Sequence, residues 1–203
     1  MSNNPKIIDF YFDLSSPYGY IGAQGIAAVA GRHDYAVCWK PILLGPILKQ
    51  TGHKPLAQVP LMGEYSLHDI QRCCRRLNID FVLPDPFPIP TVTAARACYW
   101  QQNFDAEAAK QLILALYRAY FTENRNISRA PVVLEVCREQ GLDVTALTEA
   151  LTGQALKDHL RQATANALSR GVFGSPFFIV DDEPFWGADR LPDLDDWLTE
   201  DGW

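Results

Sequence analysis

Three short segments hold residue types that could do chemistry together: Ser15-Ser16-Pro17, Ser175-Pro176, and Trp186-Gly187-Ala188-Asp189-Arg190. In the first, a hydroxyl pair sits directly before a proline, the residue order favoured at a helix N-cap and first helical position. A helix start presents unpaired N–H groups and the positive end of its dipole, which together favour a thiolate, carboxylate or phosphate. Ser16 can help hold such an anion, or it can simply cap the helix. No GxSxG elbow surrounds it, and no acid–base partner is assignable to it. An unactivated hydroxyl is a poor nucleophile, so Ser16 reads as a hydrogen-bond donor. Pro176 cannot donate to a sheet ladder and belongs at the head of a strand. Asp189 has two readings: a helix N-cap, or a carboxylate beside free amides that holds a zwitterionic amino-acid head group.

The elements that must position these residues are legible. Ile7 to Asp13 is β-branched and aromatic and reads as a buried strand. Tyr18 to Ala30 reads as a helix ending at Gly31, and Tyr35 to Leu43 as a second strand. Such a β-α-β crossover implies parallel strands with a right-handed connection. A Gly- and Pro-rich loop follows, from Gly45 to Gly63, with a short helix around Ile47 to Thr51. Ser66 to Leu77 is helical, and Phe81 to Pro90, with four prolines, is irregular or extended. Thr91 to Gly171 is helical throughout, with breaks at Gly141 and Gly153 and caps at Asp105, Ser128 and Asp143. A strand over Phe177 to Val180, a turn at Asp181 to Glu183, a strand over Pro184 to Trp186 and a helix over Asp189 to Leu198 close the chain. Strands at both ends and helices between them predict one α/β domain carrying a helical insertion.

Composition excludes several classes. The chain has 203 residues, 48% hydrophobic and 21% charged, with a net charge of −6, which offers no basic stripe for nucleic acid. The basic cluster at Arg72, Arg75 and Arg76 reads as a solvated helix face. The polar opening Met1 to Lys6 reads as no secretory leader, and no apolar run suits a membrane span, so no membrane partner and a cytoplasmic location are expected. The five cysteines, Cys38, Cys73, Cys74, Cys98 and Cys137, and the four histidines, His33, His53, His68 and His159, lack ligand spacing. The thiols are expected to be reduced and mostly buried, and no metal is expected.

Taken in order, Phe10 to Tyr18, Gly171 to Pro176 and Phe185 to Leu191 resemble the 2-hydroxychromene-2-carboxylate isomerases and the related kappa-class glutathione transferases. The resemblance spans nearly the whole chain. It implies a thioredoxin-like fold of the DsbA/kappa type with a large all-helical insertion. Residues 1–64 and 168–203 would form a discontinuous thioredoxin-like domain, and 65–167 an inserted helical domain. It implies glutathione as cosubstrate, a small aromatic keto acid as substrate and a homodimer. Ser16 takes the place of the first Cys of C-x-x-C and hydrogen-bonds the glutathione sulfur. Pro176 resembles the family's cis-proline, and the Ser175 backbone pairs with the cysteinyl part of the tripeptide. Ala188 and Asp189 hold its γ-glutamyl end, Trp186, Gly187 and His53 are further glutathione contacts, and Tyr18 and Phe87 line the substrate pocket. His53 and Ala188 stand where relatives carry other polar residues, and Met62 where kappa-class enzymes carry a glutathione-binding Lys. The implied activity is cis–trans isomerisation by reversible thiolate addition. A kappa-like transferase and a non-catalytic thioredoxin-fold binding module are the alternatives.

Overall fold

Strand β1 (Ile7–Phe12) is buried on both faces, with Ile8, Phe10 and Phe12 on one and Tyr11 on the other. The structure is a computed structural model describing residues 6–203; the opening segment 1–5, on which the absence of a leader was read, lies outside the described residues. A strand buried twice needs a layer on each side. β2 (Ala36–Pro41) pairs parallel to β1 through the crossover helix α1 (Pro17–Arg32). β3 (Phe177–Val180) pairs antiparallel to β1, and β4 (Glu183–Trp186) antiparallel to β3, giving the order β2-β1-β3-β4.

Between β2 and β3 run α2 (Leu44–Thr51), α3 (Met62–Leu77), α4 (Val92–Gln102), α5 (Ala106–Phe121), α6 (Ala130–Glu139), α7 (Val144–Thr152) and α8 (Gln154–Ser169); α9 (Leu191–Glu200) closes the chain. The larger core joins Ile8, Phe10, Phe12 and Phe178 of the sheet to Tyr20 and Ile26 of α1, Cys98 of α4, Leu112 to Phe121 of α5, and Leu194 of α9. Tyr11, Phe177 and Ile179 on the other face meet Ile47 of α2 and Ala167 of α8. Sheet and inserted helices therefore share one core, which fixes the end of β1 against α5. Among the described residues no helix is long and apolar enough to cross a membrane.

Several expected boundaries shift, for reasons outside the local pattern. α2 starts at Leu44, taking in Gly45 and Pro46, because the Leu44 N–H finds a distant cap on Asp13 Oδ2 at 2.8 Å. α3 starts at Met62, not Ser66. Its Gly63 is a packing glycine, since a Cβ there would lie 2.6 Å from the Ala57 carbonyl oxygen of the 3-10 turn Leu56–Gln58. Asp105 and Asp143 cap α5 and α7 as expected. Ser128 does not cap α6: its hydroxyl turns to Asn126 Oδ1, and the helix starts after Arg129 with no side-chain cap. Asp189 is not an N-cap either. It lies inside a 3-10 turn, Ala188–Arg190, and its carboxylate pairs with Arg190.

Candidate functional site

α1 begins where β1 ends, and Ser16 is its N-cap, only 6% exposed. Its Oγ accepts from the Gly19 N–H at 3.0 Å and donates to the Ser175 carbonyl at 2.9 Å. The start of α1 is thus locked against the loop that enters β3, across 159 positions of sequence. The Ser175–Pro176 bond in that loop is cis, as are Asp85–Pro86 and Phe87–Pro88. Pro176 O accepts from Gly187 N–H at 3.1 Å, which continues the β3–β4 pairing past the last strand residue.

Beneath this junction lies Asp13, which sequence reasoning did not single out as a site residue. Its carboxylate accepts from Ser15 N–H (2.8 Å), Thr91 Oγ1 (2.8 Å) and Leu44 N–H (2.8 Å). Its own N–H donates to Ser175 Oγ at 3.0 Å, and its carbonyl accepts from Tyr117 Oη at 3.1 Å. One buried side chain thereby ties the end of β1 to the starts of α1, α2 and α4, and its main chain to the loop before β3. Burial pushes its pKa up, against the pull of the three donors. The one available signal was an acid at the end of an otherwise apolar strand.

A cleft of about 1730 Å³ opens over this floor, larger than the roughly 300–1,000 Å³ of common small-ligand sites. All the residues named from the sequence line it: Ser16, Tyr18, His53, Phe87, Ser175, Pro176, Trp186, Gly187, Ala188 and Asp189. Tyr18 Oη donates to Asp69 on α3 at 2.9 Å, and burial followed by that carboxylate pushes its pKa up. Phe87 is half-buried in the Pro-rich segment, which is pinned by Ile89 N–H to Ser15 Oγ and Tyr120 Oη to Pro86 O. Trp186 is 56% exposed, stacks edge-on against Phe173 at 4.7 Å and leans over Gly174, where a Cβ would lie 2.2 Å from its Nε1. His53 is exposed and bonds Thr51 Oγ1 through Nδ1, while Met62 is 57% exposed at the rim.

The chain's own thiols are poor candidates for the chemistry. All five are free. Cys74, Cys98 and Cys137 are buried as expected, Cys73 is half-buried, and Cys38 departs from expectation in being exposed. Burial pushes Cys73, Cys74, Cys98 and Cys137 up, Cys74 to about 11 and Cys137 to about 12, and partial desolvation with Asp9 alongside pushes the Cys38 thiol up too, so none is held as a thiolate. Among the described residues no three His, Cys, Asp or Glu side chains gather as metal ligands.

The cleft instead offers hydrogen-bond donors. The backbone N–H groups of Tyr18, Ser175, Ala188 and Asp189, all on lining residues, find no acceptor among the described residues. Helix-start amides such as those of Tyr18, Ala188 and Asp189 have no intrahelical partner, so open ones lining a cleft suit a ligand rich in carbonyl, carboxylate or sulfur acceptors.

Comparison with known proteins places this fold in a family. Residues 7–199 match the family model of the DsbA-like thioredoxin domain. The 2-hydroxychromene-2-carboxylate isomerase of Sphingobium xenophagum is 29% identical over 198 residues, covering 96% of this chain and 99% of that protein. Glutathione S-transferase kappa 2 of Caenorhabditis elegans is 25% identical over 210 residues, covering 97% and 93%. A solved structure of 2-hydroxychromene-2-carboxylate isomerase superposes with a TM-score of 0.85 at 25% identity, covering 96% of this chain and 95% of that one.

Proposed function

We propose, on the premise that this chain belongs to the DsbA-like thioredoxin domain family, that it is a glutathione-dependent cis–trans isomerase. Its substrates are 2-hydroxychromene-2-carboxylate-type compounds and the ring-opened trans-o-hydroxybenzylidenepyruvate-type aromatic keto acids. The observation that carries this reading is the buried Ser16 hydroxyl at the start of α1, 2.9 Å from the Ser175 carbonyl on the floor of the cleft.

When bound, glutathione supplies a thiolate that adds reversibly to the conjugated alkene, so that the double bond becomes single, rotates, and re-forms with its geometry changed. Every other requirement falls on the protein. Ser16 has one hydroxyl hydrogen. Turning it from the Ser175 carbonyl toward a sulfur anion frees that carbonyl to accept from the ligand's own amide, one rung of a β-ladder. The open Tyr18 N–H and the positive end of α1 add to the same anion. Thiols at helix N-termini fall from about 8.5 to roughly 3.5–7.5, and each unit is worth about 1.4 kcal/mol of preference for the thiolate. The Ala188 and Asp189 amides and the Asp189 carboxylate match the γ-glutamyl head group. Tyr18 and Phe87 present aromatic surface to the second ligand, for which the cleft has room.

The kappa-type relative gives a second reading specific support: a transferase that releases the adduct. The two separate in one experiment, in which a chromene carboxylate and a chlorinated nitrobenzene are each incubated with enzyme and glutathione. The isomerase reading expects alkene interconversion that needs glutathione yet leaves its concentration unchanged. Stoichiometric loss of glutathione with the nitrobenzene alone would replace it with the transferase reading, and no thermal shift with glutathione would leave only a binding module. The homodimer implied by the resemblance stands as part of the same proposal, testable by sedimentation, as does a cytoplasmic location.

A further inference from the structure

Gly19 follows Ser16 by three positions, the spacing at which a C-x-x-C pair carries its second sulfur. Its φ lies outside the left-handed region, so the backbone does not require glycine there. Space does. A Cβ built at Gly19 would lie 2.6 Å from Tyr117 Oη, 2.8 Å from Ser175 Oγ and 3.1 Å from Ser16 Cβ.

Both hydroxyls are held in place. Tyr117 is fully buried, its ring set between Phe12 (5.8 Å), Tyr20 (5.8 Å) and Phe121 (6.2 Å), and its Oη donates to the Asp13 carbonyl. Ser175 Oγ accepts from the Asp13 N–H, and the Ser175 carbonyl takes the Ser16 hydroxyl. Neither can swing aside without breaking a buried hydrogen bond. The 3.1 Å gap to Ser16 Cβ also falls short of the roughly 3.5–4.5 Å that a disulfide spans between Cβ atoms. A bridge therefore requires position 19 to move within space that two hydroxyls already fill.

We infer that Tyr117 and Ser175 are specificity-determining residues, whose hydroxyls crowd the space in which a resolving side chain at position 19 would begin and so favour chemistry in which one external sulfur arrives and leaves without disulfide exchange. The inference deepens the glutathione reading only in naming that sulfur; the steric block stands independently of it.

The test installs the missing pair. Ser16→Cys/Gly19→Cys is made in the native background and in Tyr117→Phe/Ser175→Ala, and each folded protein is treated with 2-hydroxyethyl disulfide. The introduced thiolate at 16 attacks the reagent, forming a mixed disulfide and releasing one mercaptoethanol. Bridging then requires the thiolate at 19 to attack the sulfur at 16, releasing the second mercaptoethanol. Two thiols are oxidised and one reagent disulfide is reduced. Mass spectrometry of the fragment carrying positions 16 and 19 is expected to show the mixed disulfide in the native background. In the relieved background it is expected to show the internal bridge, formed at least about tenfold faster. Equal bridging in both backgrounds would overturn the inference.

Should the double cysteine variant fail to fold, Gly19→Ala answers the same question. Alanine in a helix is otherwise favourable over glycine. Gly19→Ala is expected to lower Tm by about 5 °C in the native background and to be neutral or stabilising with Tyr117→Phe/Ser175→Ala. The same shift in both backgrounds refutes the block. None of these readouts uses glutathione or isomerase activity, so failure here and failure of the proposed function are distinguishable.

Discussion

The floor and the rim of the cleft are built on different principles. On the floor, Ser16, Asp13, Ser175 and Tyr117 are joined by hydrogen bonds of 2.9–3.1 Å, and Ser16 and Asp13 are each only 6% exposed. At the rim, His53 and Trp186 are exposed, and the Asp189 side chain is 73% exposed and pairs with Arg190. A fixed donor set costs no reorganisation when charge develops on a ligand, whereas an exposed side chain gives little until something covers it. Under the proposed function, charge stabilisation falls to the floor, and affinity and substrate choice to the rim.

Asp13→Asn should break the comparison hardest. A carboxamide cannot accept from Ser15, Thr91 and Leu44 at once without setting its NH2 against a donor, so stability should fall by roughly 1–3 kcal/mol and kcat by more than tenfold. Chemical denaturation and steady-state kinetics measure the two, and a raised KM with unchanged kcat would move Asp13 out of the floor. Its pH signature has a definite sign. Because the folded pKa is raised, the Asp13 contribution to stability is fully present below the ordinary aspartate range and is lost as pH rises through the elevated value. Asp13→Asn should flatten that component of the Tm–pH profile; an unchanged profile would show that Asp13 is not the titrating group.

Ser16→Ala comes next. It removes an N-cap, worth about 1 kcal/mol, and a donor to a developing anion, worth about 10–100-fold in kcat, with the fold retained by circular dichroism. Trp186→Ala and Gly174→Ala sharpen the other half, since a Cβ at Gly174 displaces the same indole. Both should raise KM for glutathione several-fold and leave kcat within about twofold, the mark of uniform binding; a large kcat loss in either would erase the distinction between floor and rim. Asp189→Asn should give the smallest change, a few-fold in glutathione affinity by calorimetry.

What was legible in the sequence follows the range of the forces involved. The β1–α1 junction and the strand Phe177–Val180 could be read because Ser-Ser-Pro and the apolar run carry local conformational preferences. The ordered motifs then named residues that the fold brings into one cleft. Long-range partners stayed hidden. The Leu44 helix start depends on an acceptor 31 positions away, and the Ser175 hydroxyl on an amide 162 positions away. Ser128 shows the converse: a residue of capping type found a better local acceptor in Asn126. Gly19 lies within the helix read over Tyr18 to Ala30, and the hydroxyls of Tyr117 and Ser175 that crowd it come from distant elements.

The central claim is that the Ser16 hydroxyl and the start of α1 stabilise a sulfur anion. The ultraviolet absorbance of enzyme-bound glutathione thiolate, titrated against pH in the native chain and in Ser16→Ala, measures this directly. A bound thiol below the free value of about 8.5, rising by about one unit or more in the variant, is the expected result. The same midpoint in both proteins would contradict it.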